Sequence, residues 1–558
     1  MVAVCLVFAL VAFCSASSLP IVDLSYELHQ AISFQSTPDF YNFSNIRYAA
    51  PPVGNLRFRA PELPAQDRSQ IQNGSGARVC PQAKPIWSSD IMPEFLLSVL
   101  EGTPFNQSTN ISSYPYEPPK SDSDVTEDCL FLDVIVPKKI FDRSHGNRSV
   151  SRPLAPVMVW INGGGYTEGD KVWEDPSGLI NRSTVVGDGV VFVAINYRLG
   201  AFGWLGGDTL IANGTANVGL HDQRFALEWV YKNIHLFGGD HQQVTLIGES
   251  AGAGSIMHQI TAYGGTGGPS RFQQAILQSP AWVPMPDKKQ PEQTLQNFLQ
   301  LLNVSTLDEA RQLPSSQLIA ANAYQVATQS KWGEFTYTPV VDGTFVPALP
   351  GQLLMDGRFD HNLTVMSGHN TEEGLEFTPP ASISSSAVPT YLKAYFPFIT
   401  QEVIDYVTQE LYPPVYNGTY GYTSPIERYA FLISESIFEC NTEYLNWAFE
   451  NQTFAYEFSV PPSLHGQDTL YTFYNPGKSG LDGGLSGLQV QNVTVAFAMQ
   501  DYFTSFAQFG APKSPVGPVF SRYGPQNMLL DIGNNTIRPV RDSSDNFRCR
   551  YWQTAPYY

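Results

Sequence analysis

Residues 244–256 read Val-Thr-Leu-Ile-Gly-Glu-Ser-Ala-Gly-Ala-Gly-Ser-Ile. A β-branched run stops at Gly248, and a small-residue run suited to a helix start follows Ser250. A Gly-x-Ser-x-Gly core at such a change is the pattern of a nucleophile elbow, in which a tight turn lifts the serine hydroxyl above a sheet. The constraint on the fold is severe. A strand, a sharp turn and a helix must meet at one residue, with Gly248 and Gly252 letting the backbone pass closely. The helix after Ser250 also aims unpaired N–H groups and its positive end at the hydroxyl.

The surroundings agree with this layout. Short, nearly continuous apolar runs at Phe131–Val136, Val157–Ile161, Val190–Ile195, Val244–Ile247, Ala275–Leu277 and Leu363–Met366 read as strands of a sheet covered on both faces. Between two of them, Gly219–His235 places Ala226, Trp229/Val230 and Asn233/Ile234 at a 3.6-residue period. That predicts an amphipathic helix ended by Gly238 and Gly239. Strand, helix, strand, elbow, helix, strand is α/β organisation, and a mostly parallel sheet flanked by helices is its simplest arrangement. At 558 residues, length alone suggests roughly two to four domains. No repeat or linker divides the chain, however, and residues 285–350 and 380–450 read as helical and loop extensions around the core.

Residues 1–16 form an apolar run ending in small residues. It reads as a secretory signal peptide within residues 1–18, with cleavage expected after Ala16 or Ser18. It is shorter than the roughly 20 residues a membrane-spanning helix needs, and no later stretch reaches that length. Its removal takes Cys5 and Cys14, leaving Cys80, Cys129, Cys440 and Cys549, an even number suited to two disulfides in an oxidising compartment. Asn-x-Ser/Thr sequons at Asn42, Asn73, Asn106, Asn110, Asn147, Asn181, Asn213, Asn303, Asn362, Asn417, Asn451, Asn492 and Asn534 add the expectation of a secreted glycoprotein. A net charge of −19 without any Lys/Arg cluster argues against nucleic acid or an anionic membrane surface as partner.

A serine hydroxyl needs an adjacent base, which is oriented in turn by a carboxylate. Of nine histidines, His29 and His145 read as surface residues and His221 as structural. His258 sits on the elbow helix, which points it away from the hydroxyl. An elbow hydrolase expects its acid and then its histidine on loops after later strands. His465 follows the apparent strand Thr453–Val460 and fits that order; His369 is second. Glu372, Glu373 and Glu376, just after the Leu363–Met366 strand, all fit the acid by order, and residue chemistry does not choose among them. Asp468 is too near His465 in sequence to orient it. Upstream, residues 157–166 read Val-Met-Val-Trp-Ile-Asn-Gly-Gly-Gly-Tyr. Glycines after a strand leave backbone N–H groups open to a tetrahedral oxyanion, so Gly164, Gly165 and Ala251 are the expected donors.

Residues 81–128 are rich in Pro, Ser and Asp, with one apolar helical segment at Ile91–Leu100. If Cys80 pairs with Cys129, this becomes a closed surface loop whose apolar insert either docks on the body or forms a flap over a pocket.

The chain resembles the type-B carboxylesterase/lipase family, which includes the cholinesterases, and looks most similar to its secreted fungal members. Ile46–Phe58 resembles the family's N-terminal block and Glu127–Val134 its second signature. Asn217–Val230 with Phe237–Asp240 resembles the block before the elbow. The resemblance implies one α/β-hydrolase domain over residues 19–558, with large loop and helical insertions. It selects Glu373 as the acid and His465 as the base, and gives Gly164, Gly165 and Ala251 the oxyanion-hole places. It implies a Cys80–Cys129 disulfide closing a candidate lid at residues 80–129. Cys440 and Cys549 depart from the cholinesterase pattern; they remain, and Arg548–Trp552 resembles the fungal C-terminal block, which implies that they pair. The implied activity is serine ester hydrolysis through an acyl-enzyme, which requires no metal or organic cofactor. Tyr166, Trp282, Phe377 and the Ile91–Leu100 segment are candidates to line an apolar pocket for aryl or long-chain acyl esters. A broad carboxylesterase is the first reading. Alternatives are an interfacial lipase, a steryl or xanthophyll esterase, a feruloyl esterase, and an adhesion protein on a hydrolase scaffold. The partner expected is a small-molecule or lipid ester. Oligomeric state leaves no mark in the sequence.

Overall fold

The apolar runs pair into one eleven-stranded sheet. The computed structural model describes residues 19–33, 40–106, 110–118, 123–145, 153–384, 386–476 and 488–556. The expected signal segment 1–18 and the sequon at Asn147 lie outside the described residues, as do parts of the 80–129 loop. The sheet comprises β1 (Ile32–Ser33), β2 (Phe40–Arg47), β3 (Phe131–Pro137), β4 (Ala155–Ile161), β5 (Val191–Ile195), β6 (Gly239–Glu249), β7 (Gln274–Gln278), β8 (Thr364–Asn370), β9 (Phe454–Phe458), β10 (Met528–Ile532) and β11 (Ile537–Arg541). Their spatial order is β11-β10-β9-β8-β7-β6-β4-β5-β3-β2-β1. Pairing is parallel from β5 through β10. It is antiparallel at both edges. The sheet is therefore mixed, because its outer strands are joined without the crossover helices that parallel neighbours require. Every strand named from the sequence is present.

Five helices matter for the site: α1 (Met92–Glu101), α2 (Ser177–Val186), α3 (Val218–Asn233), α4 (Ala251–Ile260) and α5 (Val493–Phe509). β4 explains how the sheet is held between them. Val157, Val159 and Ile161 pack in one cluster with Leu220 and Val230 of α3 and Ile256 and Met257 of α4. Met158 and Trp160 belong to the opposite cluster, with Leu179 and Ile180 of α2 and Phe503 and Phe506 of α5. Alternation with period two thus buries Val157–Ile161 on both faces of the sheet, each Val or Ile contributing roughly 1.5 to 3 kcal/mol before the entropic cost of ordering. The helix expected to end at Gly238 does so after a tightened last turn, Ile234–Phe237, with Gly238 at φ 85°.

Cys80 and Cys129 are bonded, with Cα atoms 5.0 Å apart, and Cys440 is bonded to Cys549 at the same Cα spacing. Within the first loop, α1 is docked. Leu96 packs on Leu375, Ala430 and Leu464, and the Trp87 indole donates to Glu334 O at 2.8 Å. No described helix is long and apolar enough to cross a membrane.

Two sequence expectations change. His29 is buried, not at the surface: its ring nitrogens lie 3.0 Å from Glu27 Oε1 and 2.8 Å from Ser44 O, so both polar atoms are satisfied inside. Asn42 lies within β2 and is only 8% exposed, so its sequon presents no acceptor at the folded surface. By contrast, Asn73, Asn106, Asn110, Asn303, Asn362 and Asn417 are exposed, and Asn181, Asn213, Asn451, Asn492 and Asn534 are half-buried.

Candidate active site

Ser250 sits between the end of β6 and the start of α4 at φ 54° and ψ −124°, a conformation a non-glycine residue adopts only under constraint. Three hydrogen bonds impose it. Ser250 N donates to Gln278 O at 2.9 Å, and Ser250 O accepts from Gly254 N and Ala281 N at 2.8 and 3.2 Å. The turn also demands Gly252, where a Cβ would stand 2.1 Å from Ile161 O.

His465 comes from the loop after β9, and its Nε2 lies 2.8 Å from Ser250 Oγ. Its Nδ1 lies 2.5 Å from Glu373 Oε2. Glu373 begins a short 3₁₀ turn after β8 and is fully buried. Its other oxygen accepts from Ser279 Oγ at 2.5 Å and Asn370 N at 2.6 Å. Burial alone would raise this carboxyl's pKa, but the His465 charge and these donors outweigh it and hold it below its ordinary value. For His465, burial disfavours the charged ring, while the Glu373 carboxylate, held 2.5 Å from Nδ1, favours it and raises the pKa above the ordinary histidine value. Burial pushes Glu249 up to about 8, so near neutral pH Glu373 is the carboxylate that acts on the imidazole.

The other candidates are placed elsewhere. The backbone N–H of Glu372 donates to Ser463 O. Asp468 accepts from Gln278 Nε2 and Tyr456 OH, at 2.9 and 2.7 Å. His369 Nδ1 meets Thr442 Oγ1 at 3.2 Å. His258 Nδ1 meets Gly254 O at 2.8 Å on the elbow helix. His221 packs against Phe345, and His145 is exposed.

The glycine loop after β4 approaches Ser250 from the other side: a Cβ on Gly163 would lie 3.2 Å from Ser250 Cβ. Gly164 and Gly165 adopt φ 95° and 58°. A Cβ on Gly165 would stand 2.4 Å from the Phe335 ring. Neither of their N–H groups has an acceptor among the described residues. Ala251, the first residue of α4, is buried beside them.

Two lobes meet at Ser250. A side pocket of about 50 Å³ is lined by Gly165, Ala251, Tyr166, Trp282, Phe377 and further rings, so the three aromatic residues named from the sequence come together there. The Tyr166 hydroxyl donates to Ala281 O at 2.8 Å. Sequence reading missed Phe335, Tyr391, Tyr395 and Phe438, which come from inserted segments that carry no local motif. The second lobe is a cleft of about 400 Å³ walled by His465, Trp160, Asn162, Glu174, Glu249 and Glu376, with Met92 and Pro93 of α1 on its far side. Glu249 lies inside the elbow motif and was legible there; Glu174 had no signal. No group of three or more His, Cys, Asp or Glu residues suited to a metal ion occurs among the described residues.

The Carboxylesterase family model matches residues 30–552. Carboxylesterase patB of Penicillium expansum is 38% identical over 556 residues, covering 97% of this chain and 97% of its own. Lipase 1 of Geotrichum candidum is 30% identical over 548 residues, 91% of this chain and 90% of that one. The crystal structure of Aspergillus niger EstA shares the fold with a TM-score of 0.78 at 24% identity, covering 97% of this chain and 99% of that chain.

Proposed function

The chain belongs to the carboxylesterase family of serine-type carboxylic ester hydrolases, and from that premise we propose that Ser250 is its nucleophile, His465 its proton carrier and Glu373 the carboxylate that orients the imidazole. The observation that carries this reading is the continuous chain Ser250 Oγ, His465 Nε2, His465 Nδ1, Glu373 Oε2, at 2.8 and 2.5 Å. His465 takes the Ser250 proton as Oγ bonds to the ester carbonyl carbon. The carbonyl oxygen becomes an oxyanion held by the N–H groups of Gly164, Gly165 and Ala251. Collapse of this intermediate breaks the bond to the alcohol, which leaves with the proton from Nε2. Water then attacks the acyl-enzyme, giving its proton to His465; the second collapse releases the acid and returns that proton to Ser250. Glu373 stays ionised throughout and stabilises the imidazolium.

The leaving alcohol must lie within reach of His465. His465 lines the cleft and not the side pocket, so the alcohol occupies the cleft and the acyl group the side pocket. An apolar cavity of about 150 Å³ takes up a benzene ring; the side pocket is about 50 Å³. Compact apolar acyl groups fit it best. We further read residues 1–18 as a signal peptide, residues 19–558 as one catalytic domain and the protein as secreted. Relatives from Botryotinia fuckeliana and Arthroderma benhamiae named secreted lipases support the last point. N-terminal sequencing of culture-secreted protein tests it, with Leu19 or Ser17 as the expected first residue.

The decisive test of the nucleophile is covalent labelling. A fluorophosphonate should modify Ser250 stoichiometrically and abolish ester hydrolysis, and Ser250→Ala should accept no label. Label on any other serine, or an active Ser250→Ala protein, sinks the assignment.

A further inference from the structure

Glycines open the N–H groups of the 163–165 loop to substrate, yet glycine is also the residue with the most conformational freedom to lose. Transition-state stabilisation needs donors that are fixed before the reaction, and a misplacement of about 1 Å can cost roughly 100-fold in rate. The N–H groups of Gly164 and Gly165 have no acceptor among the described residues, so what fixes them lies further along the chain. Gly164 O accepts from Thr167 N and Glu168 N, both at 3.0 Å, which closes a turn. The chain then folds back at Gly169, where φ is 100° and a Cβ would stand 2.3 Å from Asn162 Nδ2 and 2.7 Å from Gly163 O. Residues 167–169 therefore pack directly behind the glycines.

A second segment grips that turn from outside. Gln82 Oε1 accepts from Gly169 N at 2.7 Å, and Gln82 Nε2 donates to Gly169 O at 3.0 Å and to Cys80 O at 2.9 Å. Ala83 N donates to Thr167 O at 2.9 Å. The Lys84 ammonium lies 2.9 Å from Glu168 Oε2. These three ties differ in kind. Ala83 contributes only its backbone, which any residue but proline supplies. The Lys84 side chain is mostly exposed, and an ion pair of that sort contributes little in water. Gln82 pairs the N–H and the C=O of Gly169 as a neighbouring strand would, which fixes the peptide planes on either side of it. Its second amide proton goes to Cys80 O, and Cys80 is anchored by its disulfide to Cys129. One acceptor and two donors at the end of a side chain are what a carboxamide offers; asparagine is one methylene too short.

We propose that Gln82 is a positioning residue for the oxyanion hole: through Gly169 it holds the turn behind residues 163–165, so that the donors are aimed before the oxyanion forms. The first residues of the Cys80–Cys129 loop then act on the rate of the chemical step. This rests on Ser250 being the nucleophile and on Gly164, Gly165 and Ala251 being the donors.

Two substitutions test it. Gln82→Leu removes the fork at similar volume. Gln82→Glu exchanges one NH2 for an oxygen and sets a carboxylate against the carbonyl oxygens of Gly169 and Cys80. In both, kcat for phenyl acetate should fall about 10- to 100-fold while KM stays within about threefold, since the interaction lost is one made in the transition state. Affinity for a trifluoromethyl ketone should fall by the same factor, because Ser250 Oγ adds to its carbonyl and leaves an alkoxide in the oxyanion hole with no leaving group to expel. A merely structural contact would lower Tm and leave kcat and ketone affinity at the values of the unsubstituted protein, and that result overturns the proposal. So does a loss carried by KM, a kcat loss without a matching loss of ketone affinity, or a Gln82→Glu chain that does not fold. Fluorophosphonate labelling of the unsubstituted protein separates the layers. Label at Ser250 with fully active Gln82 variants removes only the positioning role, whereas absence of label removes the ester-hydrolase site on which it rests.

Discussion

The two lobes share Ser250, Gly165, Phe335 and Phe377 as a common wall, yet the rest of each is made of different parts of the chain and different chemistry. Several polar residues of the cleft sit at or just beyond the ends of sheet strands: Trp160 and Asn162 at the end of β4, Glu249 at the end of β6 and Glu376 soon after β8, whereas Glu174 lies just before α2. Much of the side pocket comes from inserted helices and turns, which supply Tyr391, Tyr395, Ile433, Ile437 and Phe438. The reacting groups therefore rest on the part of the fold least free to move, while the volume offered to the acyl group is set by segments outside the sheet. Substitutions in the insertions can retune the acyl group without disturbing proton transfer. Substitutions at the strand ends cannot avoid it.

That division makes the largest effect the least selective. Glu373→Gln keeps the volume of the side chain but removes the charge that holds the His465 tautomer, and turnover should fall about 10⁴-fold. The fall should be uniform over esters differing in either acyl or alcohol group, because Glu373 touches neither lobe. Circular dichroism unchanged from the parent protein, together with a uniform kcat loss over an ester panel, is the expected outcome. A loss below tenfold, or one confined to a single alcohol series, would show that another group orients the imidazole.

Trp282→Ala should act on one lobe only. Trp282 stands between the side pocket and a smaller cavity of about 20 Å³ behind it. Removing the indole joins them, and the preferred p-nitrophenyl ester should move to longer acyl chains, with roughly tenfold or more gained per well-placed methylene. The buried position also predicts a stability loss of roughly 3 to 5 kcal/mol. An unchanged acyl-length profile in a folded variant would place the acyl group elsewhere.

How much of this was legible in the sequence follows the same boundary. Ser250, Gly164, Gly165 and the strands around them carry local signals, because a tight strand-to-helix turn and a side-chain-free loop can be built from few residue types. Glu373 was not separable from Glu372 and Glu376 by chemistry or order. What distinguishes it is reach: Ser279 Oγ and Asn370 N fix one of its oxygens, which turns the other to His465. Ser279 lies far away in sequence, and no local pattern encodes that meeting. His29 misled for a related reason: Glu27 is a local partner, but Ser44, whose carbonyl oxygen meets the other ring nitrogen, is brought to it only by packing. The side-pocket rings look like ordinary core residues in sequence, and only the insertions' placement makes them a wall. The mixed sheet edges likewise depend on connections that periodicity does not report.

The smallest effect expected separates the lobes by proton binding. Burial raises the pKa of Glu174, Glu249 and Glu376 from 4.5 to about 8, and all three face the cleft. Between those two values the folded chain holds protons that the unfolded chain has released, so these residues favour the folded state at low pH and lose that advantage as pH rises towards 8. His465, whose pKa is also raised, works in the same direction: its contribution is complete below the ordinary histidine value of 6.5 and is lost as pH rises above it. The side pocket contains no carboxyl and contributes no such slope across this range. Replacing the three glutamates together by glutamine should therefore flatten the fall in Tm between pH 5 and pH 8.5, by about a few degrees. Other buried carboxyls, Glu439 and Glu443 among them, also have raised pKa values and remain in both proteins, so the difference between the two curves isolates the cleft. Parallel curves would mean that these three carboxyls are ionised in the folded protein, and the cleft would then be an anionic site, not a neutral hydrogen-bonding one.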